Sequence, residues 1–202
     1  MRAFVAATLV AAGAAQAQTP LLDAIAGGKE PVAAILVLGG KVDLEARNDK
    51  RETPLHLAAE KDMRALTRLL LDAGARLRAR TATGETALHH AALNEDPAIA
   101  RLLLDAGADA RTLNDHGESA LHWAAYGGHD AVVQLLLERG ADPDVFNLDG
   151  NLPLHGAAAG GHASTVRLLL PRTCYPGMMN RQGKTPRDLA RERGHDEAER
   201  LF

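Results

Sequence analysis

Residues 84–92 read GETALHHAA and residues 118–125 read ESALHWAA. Weaker versions of the phrase stand on both sides: TPLHLAA from Thr53, LPLHGAA from Leu152 and TPRDLA from Thr185. Thr53, Thr86, Ser119, Leu152 and Thr185 follow one another at intervals of 33 residues, and Thr19 precedes Thr53 by 34. A fixed period of this length marks stacked supersecondary units, none of which buries its apolar face alone. A second block keeps the same phase, as LLLDAGA from Leu69, LLLDAGAD from Leu102 and LLLERGAD from Leu135.

Composition agrees with a long, thin core. The chain of 202 residues is 46% hydrophobic but only 3% aromatic, so its apolar content is mostly Ala, Leu and Val, which favour closely packed helices. Each unit reads as two helices. Thr or Ser followed by Pro or Ala supplies a hydroxyl cap, and Pro54 sits where its missing N–H costs little. Leu121, Ala124 and Ala125 then share one helical face, while Val132, Val133, Leu135, Leu136 and Leu137 make the second helix apolar on more than one side. Gly74, Gly107 and Gly140 follow the second helices, where a positive φ closes the turn. Asn48, Asn114, Asn147 and Asn180 precede tight turns that project to one side.

These two motifs in register resemble the ankyrin repeat family, whose units open with TPLH and close with GAD. The resemblance covers residues 19–202 and implies an all-α fold, an ankyrin-repeat α-solenoid with projecting β-hairpin fingers. About six units are expected over residues 18–202, the first and last of them degenerate caps. It also implies that His56, His89, His122 and His155 brace the helix start against the loop. Spacing independently disfavours a metal array, because neighbouring repeats sit about 8–10 Å apart whereas zinc–nitrogen bonds are about 2 Å. His129, His162 and His195, each after Gly, read as a second structural set between helices.

Several positions depart from the pattern. In LLLPRTCYPG the expected Gly is Thr173 and the expected Asp is Tyr175, so this loop either carries strain at positive φ or takes another path. Leu152 lacks a capping hydroxyl, for which Asn151 is a substitute. The run RDLARERGHDEAERLF reads as a polar cap on one open end, and the first unit, with its Gly and Lys residues, as a cap on the other. Cys174, the single cysteine, reads as a small buried side chain, with intermolecular pairing as the rival.

The first residues, MRAFVAATLVAAGAAQAQTP, match a secretory signal over residues 1–17 with cleavage after Ala17. An Ala-rich helix capping the N-terminus is the other reading. Export to the periplasm, or secretion, is the expectation, with no membrane insertion after removal of the signal because the apolar run is too short to span.

Chemical signatures are lacking. GGK at 39–41 has neither the glycine spacing nor the hydroxyl residue of a phosphate loop, and HExxH, GxSxG and CxxC do not occur. The expectation is therefore no enzyme, no catalytic residue, no cofactor and no metal site. A net charge of −3 gives no general attraction to nucleic acid. A monomer that binds another protein is expected.

A stacked array presents a concave surface of finger tips and first helices. Register places Arg47, Lys50, Glu60, Lys61 and Arg80 on its early part, and Leu113, His116, Trp123, Tyr126, Phe146 and Leu148 farther along. The apolar members are expected to anchor a partner and the charged ones to orient it. Trp123 occupies a slot held by Leu57, His90, Gly156 and Leu189 in the other units, so two roles stand for it: anchor or space filler. The alternative function is a metal- or small-ligand-responsive protein that uses surface histidines.

Overall fold

The computed structural model describes residues 20–202; the signal expected at residues 1–17 lies outside them. Twelve helices form six pairs among the described residues. The pairs are α1 (Pro20–Ala26) with α2 (Glu30–Leu38), α3 (Pro54–Glu60) with α4 (Arg64–Asp72), and α5 (Ala87–Ala91) with α6 (Ala98–Asp105). They continue with α7 (Ala120–Gly127) and α8 (Asp130–Glu138), α9 (Pro153–Ala159) and α10 (Ala163–Leu169), then α11 (Pro186–Glu192) and α12 (Asp196–Glu199). First helices pack on first helices and second helices on second helices, which makes two parallel layers of an all-α solenoid.

The start of each first helix follows from its cap. Thr53, Thr86, Ser119, Leu152 and Thr185 all adopt extended backbone with ψ between 162° and 168°, so the chain turns sharply into the helix there. Alanine allows close approach behind the cap: Ala58, Ala91, Ala124 and Ala157 are fully buried between neighbouring first helices. Second helices bury more bulk, including Leu66, Leu70, Ile99, Leu103, Val132, Val133, Leu136 and Val166. The resulting apolar seam is continuous from Leu21 to Ala198. Gly74, Gly107 and Gly140 close their second helices at φ of 90°, 97° and 83°, which a side chain would resist.

Fingers connect the units. Asn114 Oδ1 accepts the backbone N–H groups of His116 (3.0 Å) and Glu118 (2.9 Å), which folds the turn around the carboxamide. Asn48, Asn147 and Asn180 make the same pair of bonds, and Thr81 Oγ1 does so in the one finger without Asn. Successive finger tips are also joined by backbone bonds, Ala82 to Lys50, Asp115 to Thr83, Leu148 to His116 and Arg181 to Asp149, at 2.8–3.0 Å.

Four local expectations are resolved. Thr173 is not held at positive φ; α10 ends early through Leu170, and Thr173 Oγ1 with the Cys174 N–H reaches Asp144, so the chain takes another path. Cys174 is exposed rather than buried, because that path carries it outward. Asn151 does not replace the missing hydroxyl at Leu152, since its Oδ1 accepts Asn180 Nδ2 at 2.8 Å. The first unit, expected as the other cap, presents an apolar surface: Val32, Ile35 and Leu38 on α2 stand exposed. The last unit does carry the expected charges, with Glu199 paired to Arg191 at 2.9 Å and Arg187 at 3.7 Å.

Arg51 lies at φ 61°, in the finger position that Gly84, Gly117, Gly150 and Gly183 hold in the other units. Its carbonyl, not its side chain, makes the local bond, to Arg47 Nη1. Arg51→Gly should therefore remove backbone strain and stabilise the fold by about 0.5–1 kcal/mol, read as a rise in the urea unfolding midpoint. An unchanged or lowered midpoint would contradict this.

Candidate functional site

Each groove position is set by a histidine at the third residue of a first helix. His56 Nδ1 receives the Thr53 backbone N–H at 3.2 Å, and its Nε2 meets the Glu85 carbonyl of the next finger at 3.1 Å. His89 repeats this with Thr86 (3.2 Å) and Glu118 (3.1 Å), and His122 with Ser119 (3.1 Å) and Asn151 (3.1 Å). A backbone N–H on one nitrogen and a carbonyl on the other require a neutral ring with its proton on Nε2. Burial pushes His56 and His89 down to about 4 against the opposing pull of the finger carbonyls, and burial lowers His122 and His155 as well. His155 keeps the Leu152 N–H at 3.0 Å, but its buried Nε2 has no partner. In the last unit Asp188 accepts both the Thr185 N–H and hydroxyl, a carboxylate version of the same brace.

The next residue along occupies a recurring slot on the finger-side groove. Its slot runs Leu57, His90, Trp123, Gly156 and Leu189, and the residue just before each cap stands beside it: Glu52, Glu85, Glu118, Asn151 and Lys184. The groove floor therefore passes from acidic to neutral to basic along the array. Trp123 is half-buried, with its ring edge-on to His89 at 5.6 Å and tilted against His90 at 5.9 Å. Its Nε1–H donates to Glu118 Oε2 at 2.9 Å. Burial alone would raise the Glu118 carboxyl, yet hydrogen bonds from Trp123 and Asn114 hold it below its ordinary value.

Beyond Trp123 the slot side chain disappears at Gly156, and a cleft of about 520 Å³ opens there. Leu93, Trp123, Tyr126 and Leu189 form its apolar wall, and Asn147, Asp149, Asn151, Asn180 and Gln182 line the finger side, with Arg193 at the far end. Tyr126 is 60% exposed, and its carbonyl accepts from His162 Nε2 at 2.9 Å.

The expected contact residues divide. Trp123 and Tyr126 meet in the cleft. Phe146 does not line it; its ring faces Tyr175 at 6.3 Å, beside the neighbouring finger. Leu148 is exposed on a finger tip, His116 is exposed on the tip before it, and Leu113 is half-buried. Arg47 and Arg80 are tied up within the protein: Arg47 Nη1 donates to the Arg80 carbonyl at 2.7 Å, and Arg80 Nη2 to the Leu113 carbonyl at 2.6 Å. Lys50, Glu60 and Lys61 are exposed at the acidic end. Sequence reasoning missed the polar wall from Asn147 to Gln182, whose side of the finger is set only by the turn. It also missed Glu118, although a Glu five residues before a Trp, with a cap between them, was a readable signal.

Family models described as ankyrin repeats match the chain, one of three copies over residues 62–147 and one of many copies over residues 136–190. The chain belongs to the ankyrin repeat family. A comparison with curated proteins gave no match. Ankyrin repeats generally mediate protein–protein interaction and are typically non-catalytic. No helix among the described residues is long and apolar enough to cross a membrane.

The braces of this ankyrin array make it sensitive to acid. His56 and His89 protonate near 4 in the fold but near 6.5 when unfolded, so between these values the unfolded chain binds more protons. Stability is full above pH 6.5 and should fall by on the order of 1 kcal/mol per pH unit for each such histidine down to pH 4. Thermal melts from pH 8 to 4 check this; a melting temperature flat below pH 6.5 would contradict the neutral brace.

Proposed function

We propose that the protein is an exported, non-catalytic adaptor that grips a partner protein in its concave groove, with the cleft beside Trp123 as the point of attachment. Support comes from one observation above the others: a slot that every other unit fills is left open at Gly156, between a fixed indole and an exposed phenol. An apolar wall facing a row of carboxamides suits a side chain that enters the cleft while its backbone bonds to Asn147, Asn151 or Gln182. Tyr126 supplies an anchor at the rim, and exposed Leu148 and His116 extend the contact to the finger tips. Lys50, Glu60 and Lys61 lie far enough toward the other end to set orientation rather than affinity. The partner is a protein of the cell envelope that is inhibited, protected or scaffolded, and the adaptor acts as a monomer.

Gly156→Leu is the direct test. The atoms nearest a Cβ at Gly156 belong to Tyr126, at an ordinary 3.5 Å, and Leu stands in the same slot at 57 and 189, so the variant should fold with an unchanged or higher melting temperature. It should lose the proteins that wild type captures from an envelope fraction, and Tyr126→Ala should weaken capture at least tenfold without loss of stability. Retention of the same proteins by both variants would move the attachment point elsewhere.

Export rests on the segment MRAFVAATLVAAGAAQA and its small residues before Gln18. Protein recovered from the native host should begin at Gln18. A mature N-terminus at Met1 would remove the envelope from this proposal.

A further inference from the structure

His90 fills its slot differently from its neighbours. It is 8% exposed, its Nε2 has no hydrogen-bond partner, and its Nδ1 stands 3.9 Å from Glu60 Oε2, beyond hydrogen-bond reach. A buried imidazole in this condition is costly, since each polar atom removed from water needs a partner. The repeat does not demand it, because Leu serves at 57 and 189. Glu52 is 6% exposed, and the side chain that contacts its carboxylate is the neutral Asn48, whose Nδ2–H donates to Oε2 at 2.6 Å. A buried carboxylate with a neutral partner calls for a cation. Glu60, at the end of α3, completes a trio in which one donor atom from each residue lies within 4.8 Å of the other two.

We propose that Glu52, Glu60 and His90 bind a divalent transition-metal ion of the zinc class at the acidic end of the groove. One imidazole nitrogen and two carboxylates match the mixed nitrogen and oxygen ligation that zinc accepts, and the imidazole disfavours calcium and magnesium. Tetrahedral bonds of about 2.0–2.2 Å place ligand atoms about 3.4 Å apart, so the trio must contract by little more than 1 Å. Glu60 is free to supply that movement, because its side chain is half exposed, whereas Glu52 and His90 are held in place by packing. The Asn48 bond to Glu52 plays the part of an outer-shell contact that orients a ligating carboxylate. Three protein ligands leave the fourth position to water or to a group from a bound partner, on the side where Glu60 meets solvent. This site is separate from the Gly156 cleft, and its binding of metal does not depend on what the cleft holds.

Trp123 reports on it directly, being the only tryptophan of the chain and 5.9 Å from the His90 ring. Zinc chloride titrated into the full protein at pH 7.5 should change the indole emission saturably, with one equivalent bound by calorimetry and a raised melting temperature. His90→Leu should fold, as the same slot does at 57 and 189, and should abolish the emission change. Glu60→Gln, at an exposed side chain, should lower zinc affinity at least tenfold, and a hundredfold excess of calcium should not displace zinc. Failure to saturate, or zinc affinity within twofold of wild type in Glu60→Gln or His90→Leu, would overturn the site. Displacement by calcium would overturn its metal class.

Discussion

One neutral imidazole, repeated, holds this array together. Nδ1 of His56, His89 and His122 takes a cap N–H of its own unit, and the proton on Nε2 reaches a finger carbonyl of the next. Each bond is modest, roughly 1 kcal/mol net. Their value lies in geometry: one ring fixes where a helix begins and where the neighbouring finger stands relative to it. Apolar burial supplies the driving force through the seam from Leu21 to Ala198, but a seam of alanine and leucine has little directional preference. The imidazole gives the stack its register.

That register creates the groove. The residue after each brace falls in the same slot of every unit, and the residue before each cap stands beside it. Chemistry there is consequently free to vary without disturbing the fold. Glutamate at 52, 85 and 118 makes one end acidic, Lys184 and Arg193 make the other basic, and Gly156 removes the floor between them. A capped helix tolerates that glycine because Leu154 and Ala157 around it are buried in the seam.

The scaffold was legible in the sequence because its signals are local and repeated. Caps at Thr53, Thr86 and Ser119, glycines at 74, 107 and 140, and the asparagine turns each state a backbone conformation within a few residues, and the structure follows them. The site was legible only in part. Trp123 stood out because the repeat does not require its size, and Tyr126 as an aromatic at an open helix end, whereas the cleft between them is an absent side chain, visible only once Gly156 is placed beside its neighbours. Arg47 and Arg80 read as free charges, but their guanidinium groups span the gap between fingers, a distance no single unit contains. Cys174 misled for a related reason: its exposure depends on the path of LLLPRTCYPG, where the repeat abandons its own rule.

The backbone bonds that join successive finger tips have a mechanical consequence. From Lys50 to Arg181 they form a nearly inextensible edge, since lengthening it means breaking peptide hydrogen bonds, while the opposite edge of second helices is held by deformable side-chain contacts. The molecule should therefore bend by splaying its layer of second helices and keep the rungs of its fingered edge at constant pitch. Such an edge acts as a ruler. A protein laid along it is selected by the spacing of its own protrusions as well as by their chemistry.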